Sequence, residues 1–382
     1  MSNSKPKIVI VGPAYPYRGG QALVEAYLNN TLTQLGYDCN TISYSLLYPS
    51  IFFPGTTQFD DSTFIPFEHN DKIKRIINSI NPLTWFKTAR EIKRINPDGV
   101  IFVWWMPFFG PALSTIARLI KRNKKIKIFF LVENYISHEK RWFDSFFTKL
   151  TLKYADAFIC QSKYIHEQIK KDFVEKPTYQ TTLSVYDCYD LHKYNKQTAR
   201  DYLKIKSENV ILFFGLIRPY KGLNKLIAAF KEFLKIHPDT VLLVVGECYE
   251  DIETYKQLIQ QLSLEKSVKL YNSFVPNEEI EPYFKSADVS CLPYNSGTQS
   301  GILMMSYGFK IPVVATNVGG ISELILDKKT GIVIENNSID NIVNGLNEII
   351  ANKNIVDYSS NINFFTQNLG YLGLETFIKN NL

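Results

Sequence analysis

Two stretches in the second half of the chain combine the residue types that bind phosphate. Arg218 and Lys221 follow an apolar strand predicted to end at Gly215, and their spacing can place both cations over one pyrophosphate. A polar loop further along leads into a predicted helix, and its residues are Thr298, Gln299, Ser300 and Gly301. The free backbone amides at a helix N-terminus attract anions, and so do the charged side chains of arginine and lysine. The pattern predicts a diphosphate site, although an Arg and a Lys at an ordinary surface turn would look the same.

A second glycine-rich turn follows in the same part of the sequence. Residues 312–315 are apolar, and the turn at Gly319 and Gly320 is predicted to begin another helix with Glu323 near its start. In a parallel sheet, two such turns direct their amides into one crevice. Glu247, directly after a predicted strand end at Gly246, would lie at the same edge. Each of the two carboxylates fits a contact to ribose or base, and a solvated or helix-capping role fits each equally well.

These stretches resemble a known enzyme family. PVVATNVGGISELI at residues 312–325 is similar to the donor-binding signature of the family 4 retaining glycosyltransferases, and GLIRPYKGL at residues 215–223 is similar to their phosphate-clamp loop. The similarity extends from KIVIVGPAYPYRGG, near the start of the sequence, to about Ile350. The resemblance implies an α/β chain with two Rossmann-like domains facing a cleft, which is the GT-B fold.

The resemblance also implies a function. It indicates a nucleotide-sugar-dependent glycosyltransferase of the hexosyltransferase type, with a nucleoside-diphosphate sugar as donor. Its acceptor would be a glycan or a lipid-linked glycan in cell-surface polysaccharide synthesis. The family has an arginine where this chain has Leu216, and we interpret Arg218 as its replacement. Two glutamates of the family pattern fall on Gly297 and Met305, so a noncatalytic nucleotide-sugar or glycan-binding subunit is the alternative.

The N-terminal half carries a weaker signal. Gly19 and Gly20 form a glycine pair without the GxGxxG spacing of dinucleotide-binding folds, which disfavours a nicotinamide oxidoreductase. The resemblance implies that this pair lies near the donor phosphate and the acceptor. Many family members have a strand-closing histidine that reaches the donor sugar, and its position here is Glu133. His138, beside Glu139 in the loop that follows, is a catalytic candidate, and a structural role for it is equally open.

Composition disfavours several other classes. The five cysteines are widely spaced and include no CxxC pair, which argues against disulfides and zinc and favours a reducing compartment. No Asp-x-Asp occurs, so we expect neither a metal nor another cofactor. A net charge of +6 without a nucleic-acid module does not indicate nucleic acid as a partner. No apolar signal segment opens the sequence, which predicts a cytoplasmic protein.

One region has the composition of a membrane-binding surface. Residues 71–127 are basic and aromatic, which suits contact with anionic lipid headgroups on the inner face of the plasma membrane. Solvated helix faces around buried aromatics explain the composition equally well. The aromatics are Trp85, Phe86, Trp104, Trp105, Phe108 and Phe109. The uncharged run at residues 99–117 contains two prolines, so we interpret it as a strand, a loop and a helix start rather than a membrane span.

The alternation of strands and helices predicts the domain organisation. We expect an N-terminal Rossmann-like acceptor domain at residues 1–190 and a C-terminal Rossmann-like donor domain at residues 191–357. The resemblance implies that residues 358–382 form a helix that returns to the first domain.

Overall fold

The structure is a computed structural model, and it describes residues 5–49, 53, 57–67, 70–135 and 144–382. The chain divides into two compact units. Unit 1 consists of Met1–Asp61, Ile65–Ser184 and Gly370–Leu382, and unit 2 consists of Ser62–Phe64 and Val185–Leu369. The division therefore lies a few residues before the boundary expected from the sequence, and the final return to unit 1 begins at Gly370.

Unit 1 is built on a parallel sheet with the strand order β3-β2-β1-β4-β5-β6-β7. Its central strands are apolar because helices cover both faces of a parallel sheet. The strands are β1 (Lys7–Val11), β2 (Asp38–Leu46), β3 (Ile73–Asn78), β4 (Gly99–Trp104), β5 (Lys127–Val132), β6 (Ala157–Cys160) and β7 (Thr178–Gln180). The helices are α1 (Gly20–Gln34), α2 (Pro82–Ile95), α3 (Gly110–Lys121), α4 (Asp144–Leu152) and α5 (Lys163–Asp172).

Unit 2 contains a second parallel sheet, with the order β10-β9-β8-β11-β12-β13. Its strands are β8 (Asn209–Phe214), β9 (Thr240–Val245), β10 (Val268–Tyr271), β11 (Val289–Leu292), β12 (Val313–Thr316) and β13 (Gly331–Ile334). Its helices are α6 (Lys196–Tyr202), α7 (Leu223–Phe233), α8 (Ile252–Gln261), α9 (Glu281–Ser286), α10 (Gly301–Gly308), α11 (Ile339–Asn352) and α12 (Tyr358–Thr366). The last helix of the chain, α13 (Leu374–Asn381), lies in unit 1.

Strand order places a crevice in each unit. In unit 1 the order reverses between β1 and β4, and in unit 2 it reverses between β8 and β11. Loops leave such a switch point in opposite directions, so ligands bind there, outside the carboxyl ends of the strands. The predicted fold class is confirmed, because each unit is a Rossmann-like α/β domain.

Two expectations about helices are wrong. The C-terminal segment is not one helix but two, because Gly370 and Gly373 interrupt it with φ angles of +89° and +84°. The turn at Gly319 and Gly320 does not begin a helix and leads only to a three-residue 3₁₀ turn at Ser322–Leu324. In contrast, the division of residues 99–117 is confirmed as β4, a short 3₁₀ turn and the start of α3. No helix in the described ranges is long and apolar enough to cross a membrane.

Candidate functional site

The loops after β8 and β9 bring the predicted cations to the switch point of unit 2. Gly215 leaves β8 with a φ of +95°, which a glycine adopts without a steric penalty. Two backbone hydrogen bonds then hold the loops side by side, from Ile217 N to Glu247 O at 2.9 Å and from Tyr249 N to Ile217 O at 3.0 Å. Arg218 and Lys221 are therefore fixed beside the carboxyl ends of these strands.

Lys221 is buried, with only 7% of its surface exposed. Its Nζ lies 5.7 Å from the centre of the Tyr294 ring and would be 3.1 Å from a Cβ placed on Gly215. Within the described residues, its ammonium forms no hydrogen bond or ion pair. Burial, followed by the positive charge of Arg218, lowers the pKa of Lys221 from 10.5 to about 7. A buried cation without a carboxylate partner needs an anion to compensate its lost hydration.

Arg218 lies against an aromatic ring that the sequence did not single out. Its Cζ is 5.1 Å from the centre of the Tyr249 ring, within the range of a cation–π contact. The side chain is half-buried, and no carboxylate pairs with it in the part of the chain that the structure describes. The only sequence signal for Tyr249 is its position shortly after the predicted strand end at Gly246.

The N-terminus of α10 supplies neutral donors next to Lys221. Ser300 is the N-cap residue, and its Oγ accepts a hydrogen bond from Leu303 N at 3.3 Å. The amides of Gly301 and Ile302 have no acceptor among the described residues, as expected for a first helical turn. Since a Cβ on Gly215 would be 3.0 Å from Ile302 Cδ1, this helix start and Lys221 border the same glycine. The arrangement of a cation with free amides fits a diphosphate.

The turn at Gly319 and Gly320 supports this loop by close packing. A Cβ on Gly319 would lie 1.7 Å from Gly297 O, and the φ of Gly319 is +53°. The amide of Gly320 donates to Thr298 O at 3.0 Å, so it is already used within the protein. The sequence predicted that this turn is a second anion-binding site, but in the structure it packs against residues 297–298 and hydrogen-bonds to them.

The other candidate residues of unit 2 are Thr298, Glu247, Gln299 and Glu323. Thr298 and Glu247 are buried, and Glu247 is the second residue after β9. Gln299 is half-buried, and it lies between Thr298 and the N-cap residue Ser300. Glu323 lies in the 3₁₀ turn rather than in a helix. Within the described residues, no group of three or more His, Cys, Asp or Glu side chains could hold a metal ion.

In unit 1, the glycine pair marks an open helix start. Gly19 is the N-cap residue of α1 with a φ of +110°, and no side chain caps the helix. A Cβ on Gly20 would meet no atom within 4 Å. Gln21 extends from the first turn, and its Nε2 lies 3.5 Å from Glu133 Oε2 at the end of β5. His138 and Glu139 lie outside the described residues, so the catalytic assignment of His138 stays a prediction.

Comparisons with known proteins relate unit 2 to a family of glycosyltransferases. Residues 195–362 match the family model of the group 1 glycosyl transferases. An uncharacterized glycosyltransferase of Haemophilus influenzae is 28% identical over 180 residues, which is 47% of this chain and 50% of that protein. The lipopolysaccharide 1,2-N-acetylglucosaminetransferase of Salmonella typhimurium is 28% identical over 177 residues, covering 44% of this chain and 46% of that protein. The chain thus spans about half the length of the curated relatives it matches.

Solved structures show the same fold over the whole chain. Anabaena HepE, solved in complex with UDP-glucose, has a TM-score of 0.73 at 16% identity and covers 98% of both chains. At that identity the likeness concerns the fold alone. Together, these findings confirm the resemblance to GT-B glycosyltransferases that the sequence motifs indicate.

Proposed function

We propose that this chain, whose residues 195–362 form a group 1 glycosyltransferase domain, is a retaining hexosyltransferase. It transfers a sugar from a nucleoside-diphosphate sugar to a glycan or lipid-linked glycan in cell-surface polysaccharide synthesis. The observation that carries the proposal is the buried, unpaired ammonium of Lys221 beside the free amides of α10. HepE, a structural neighbour, was solved with UDP-glucose, which makes UDP-sugars the first donors to test.

The site residues have distinct roles in this proposal. Cleavage of the anomeric C–O bond leaves negative charge on the diphosphate, and fixed donors and cations lower the barrier by meeting that charge. Arg218 and Lys221 provide the cations, and Gly301 provides an amide. Unit 2 acts as the donor domain and unit 1 as the acceptor domain. The resemblance implies that the leaving phosphate oxygen helps to deprotonate the acceptor hydroxyl.

A noncatalytic nucleotide-sugar or glycan-binding subunit is the second candidate, because both family glutamates are missing. At Gly297 there is little room for one, since a Cβ there would lie 2.8 Å from Ile321 Cδ1. Met305 is buried and apolar. Contacts that these carboxylates make in the family must come from other groups or be absent.

Labelled nucleotide-sugars distinguish the two candidates. UDP-, GDP- and ADP-sugars are incubated with the protein and a lipid-linked acceptor fraction, and both thermal stability and released nucleotide are measured. A transferase is stabilised by its donor and releases nucleoside diphosphate, whereas a binding subunit is stabilised without release. Lys221→Met should abolish both signals, and Lys225→Met, at an exposed position on α7, should change neither. If none of these nucleotide-sugars stabilises the protein, the transferase and a nucleotide-sugar-binding subunit are both rejected, and the glycan-binding subunit is the candidate that is left.

We also propose that the protein is cytoplasmic and docks on the inner face of the plasma membrane through α2. Trp104, Trp105 and Phe109 are buried, so they belong to the core of unit 1 and not to a lipid contact. On α2, however, Leu83 and Phe86 are 77% and 51% exposed. Four exposed cations follow on the same side of this helix, which we call the α2 outer face. They are Lys87, Arg90, Lys93 and Arg94.

Vesicle sedimentation tests the α2 outer face. The protein should bind phosphatidylglycerol vesicles but not phosphatidylcholine vesicles, and salt should release it, since screening weakens surface attraction. The double variant Lys87→Glu/Arg90→Glu should lose about 2 kcal/mol or more of binding free energy. Lys206→Glu/Lys266→Glu, at exposed positions of unit 2, is the charge-matched control and should bind as the unmodified protein does. Equal loss in both variants would indicate an effect of net charge alone.

A further inference from the structure

The turn that carries Lys221 has few hydrogen bonds of its own. Lys221 is the last residue of a 3₁₀ turn, Pro219–Lys221, and Gly222 follows it with a φ of +70°. Lys221 N donates to Arg218 O at 3.0 Å, and Gly222 N donates to Pro219 O at 3.2 Å. A single turn of this kind is weakly stable by itself, so contacts from outside it must fix the position of Lys221.

Asn295 supplies two such contacts from the loop after β11. Its backbone N donates to Tyr220 O at 2.7 Å, and its side-chain Nδ2 donates to Pro219 O at 3.2 Å. Asn295 therefore binds two of the carbonyl groups of the turn. The preceding residue, Tyr294, faces Lys221, with the centre of its ring 5.7 Å from Lys221 Nζ. One short segment thus contacts both the backbone of the turn and the ammonium that the turn carries.

Asn337 fixes the orientation of the Asn295 side chain. It lies in the loop before α11, and its Nδ2 donates to Asn295 Oδ1 at 2.7 Å and to Pro293 O at 2.9 Å. Because Asn337 holds Oδ1, the Nδ2 of Asn295 is directed at the turn. Gly222 brings the turn close to the same groups, since a Cβ on it would lie 2.1 Å from Pro293 O and 3.0 Å from Asn337 Nδ2.

The exposure of these two asparagines indicates a local role rather than a large share in overall stability. Asn295 is exposed and Asn337 is half-buried, so water can replace their hydrogen bonds with little loss of free energy of unfolding. Lys221, in contrast, is buried, and a buried cation without a carboxylate partner is drawn toward water. Hydrogen bonds to the backbone of the turn oppose that movement.

We propose that Asn295 and Asn337 are positioning residues, which hold the turn at residues 219–221 so that the ammonium of Lys221 stays where the diphosphate binds. The proposal rests on the glycosyltransferase function above and deepens it by identifying what fixes the cation. Both asparagines act through Lys221. A cation that is already fixed stabilises negative charge without reorganisation at the moment of reaction.

Calorimetric titration of the full chain with UDP, GDP and ADP tests this role. The unmodified protein should bind at least one of the three, and that nucleotide is the probe for the variants. Asn295→Ala and Asn337→Ala should each weaken its binding roughly three- to tenfold, because binding must then also order the turn.

Asn336→Ala is the matched control. Asn336 is an exposed asparagine in the same loop as Asn337, and its Oδ1 accepts from Ser338 N at 2.9 Å and from Asn341 Nδ2 at 3.0 Å. Neither of these hydrogen bonds reaches the turn at residues 219–221. Asn336→Ala should therefore bind the nucleotide as the unmodified protein does.

The pH dependence of binding distinguishes positioning from a general loss of stability. The titratable groups that face Lys221 are Arg218 in the same loop and Tyr294 after β11, and the first turn of α10 contains no acidic residue. Burial, followed by the charge of Arg218, lowers the pKa of Lys221 to about 7, so nucleotide affinity should fall above that pH.

A loosened turn admits water to the ammonium of Lys221 and raises its pKa. In Asn295→Ala and Asn337→Ala the affinity should therefore begin to fall at a pH higher by roughly half a unit or more. Asn336→Ala should keep the pH dependence of the unmodified protein, as should any variant that is merely less stable.

Several results would overturn the positioning role. These are nucleotide binding in both variants as tight as in the unmodified protein, an equal loss in Asn336→Ala, and an unchanged pH dependence in Asn295→Ala. If Asn337→Ala does not fold, Asn295→Ala at its exposed position decides the question. Normal binding by the unmodified protein with unaffected variants would reject the positioning role alone. If the unmodified protein binds none of the three nucleotides, the proposed transferase is rejected as well.

Discussion

The carboxyl edges of the two sheets have related topologies but opposite chemistry. Unit 2 buries the cation Lys221 there, and unit 1 buries the carboxyl Glu133, each without a full set of partners in the described residues. Burial shifts both groups toward their neutral forms, with pKa values of about 7 and about 8. In open α/β sheets the switch point is where ligands bind, and the side chains at that edge decide which charge such a ligand can carry.

The difference extends to the loops that carry these groups. In unit 2 the glycine-rich turns pack backbone against backbone, as at Gly319 and Gly297, so there is no room for a side chain between them. In unit 1 the start of α1 is open at Gly20. A diphosphate site needs donors fixed in advance, and the packed edge of unit 2 suits this proposed role.

The largest effect on stability should come from adding a side chain at Gly319, where the backbone of unit 2 is closely packed. Gly319→Ala places a methyl group 1.7 Å from Gly297 O at a positive φ and should lower the free energy of unfolding by about 3 kcal/mol or more. Gly20→Ala in unit 1 meets no atom within 4 Å and should raise it by about 0.5–1 kcal/mol. Urea unfolding of both variants measures the contrast. If both substitutions changed the free energy of unfolding by the same amount, the two edges would be packed alike.

Removal of Arg218 should mainly affect catalysis. If this guanidinium meets charge on the leaving diphosphate, Arg218→Ala should cost about 2–4 kcal/mol of transition-state stabilisation, or roughly 30- to 1000-fold in rate. Adding Lys221→Ala should cost less than the sum of the two single effects, since both cations serve one anion. Steady-state kinetics with the preferred donor measures both values. Full activity of a folded Arg218→Ala would remove it from the site.

Lys221 should make nucleotide binding depend on pH. Its pKa lies below the ordinary 10.5, so the folded protein loses this proton near pH 7, whereas the unfolded chain keeps it. Stability should therefore rise between pH 7 and 10, and UDP affinity should fall by up to roughly tenfold per unit over that range, because the diphosphate needs the charged form.

Lys221→Met removes this charge and keeps an unbranched side chain. It should increase stability at pH 7 and abolish the pH dependence, while UDP binding is lost. Calorimetry in buffers of different ionisation enthalpy should detect proton uptake on UDP binding by the unmodified protein only. If Lys221→Met destabilises the fold, the buried ammonium has a partner that stabilises it.

The smallest effect should come from the helix caps. Ser300→Ala removes the N-cap of α10, and Ser162→Ala removes the equivalent cap of α5 in unit 1, where Ser162 Oγ accepts from Ile165 N at 3.2 Å. Each should cost about 1 kcal/mol of stability. Only Ser300→Ala should also weaken UDP binding, because its helix directs amides at the diphosphate. Unchanged UDP affinity in Ser300→Ala would show that α10 does not contact the nucleotide.

The sequence by itself determined most of the alternation of strands and helices, and it identified the candidate anion-binding groups. Apolar runs such as NVILFFG are too short for helices, and the helical patterns between them indicate parallel crossovers, so local pattern predicts Rossmann-like α/β domains. The resemblance to a known family implied the GT-B fold. Arg218, Lys221 and the helix start at Gly301 were also identifiable, because their chemistry and spacing are local properties. Their roles in binding stay predictions that the variants above test.

Only the tertiary structure decided which of these groups are buried and what they contact. Burial beside Tyr294, which lies in the loop after β11, lowers the pKa of Lys221, and the charge of Arg218 lowers it further. Gly319 matters because Gly297 O lies against it. Glu133 has one oxygen paired and one unpaired because Gln21, far away in sequence at the start of α1, reaches only Oε2. Helices α12 and α13 are separate because they belong to different units. Burial and hydrogen-bond satisfaction are sums over atoms from distant segments, so no local pattern contains them.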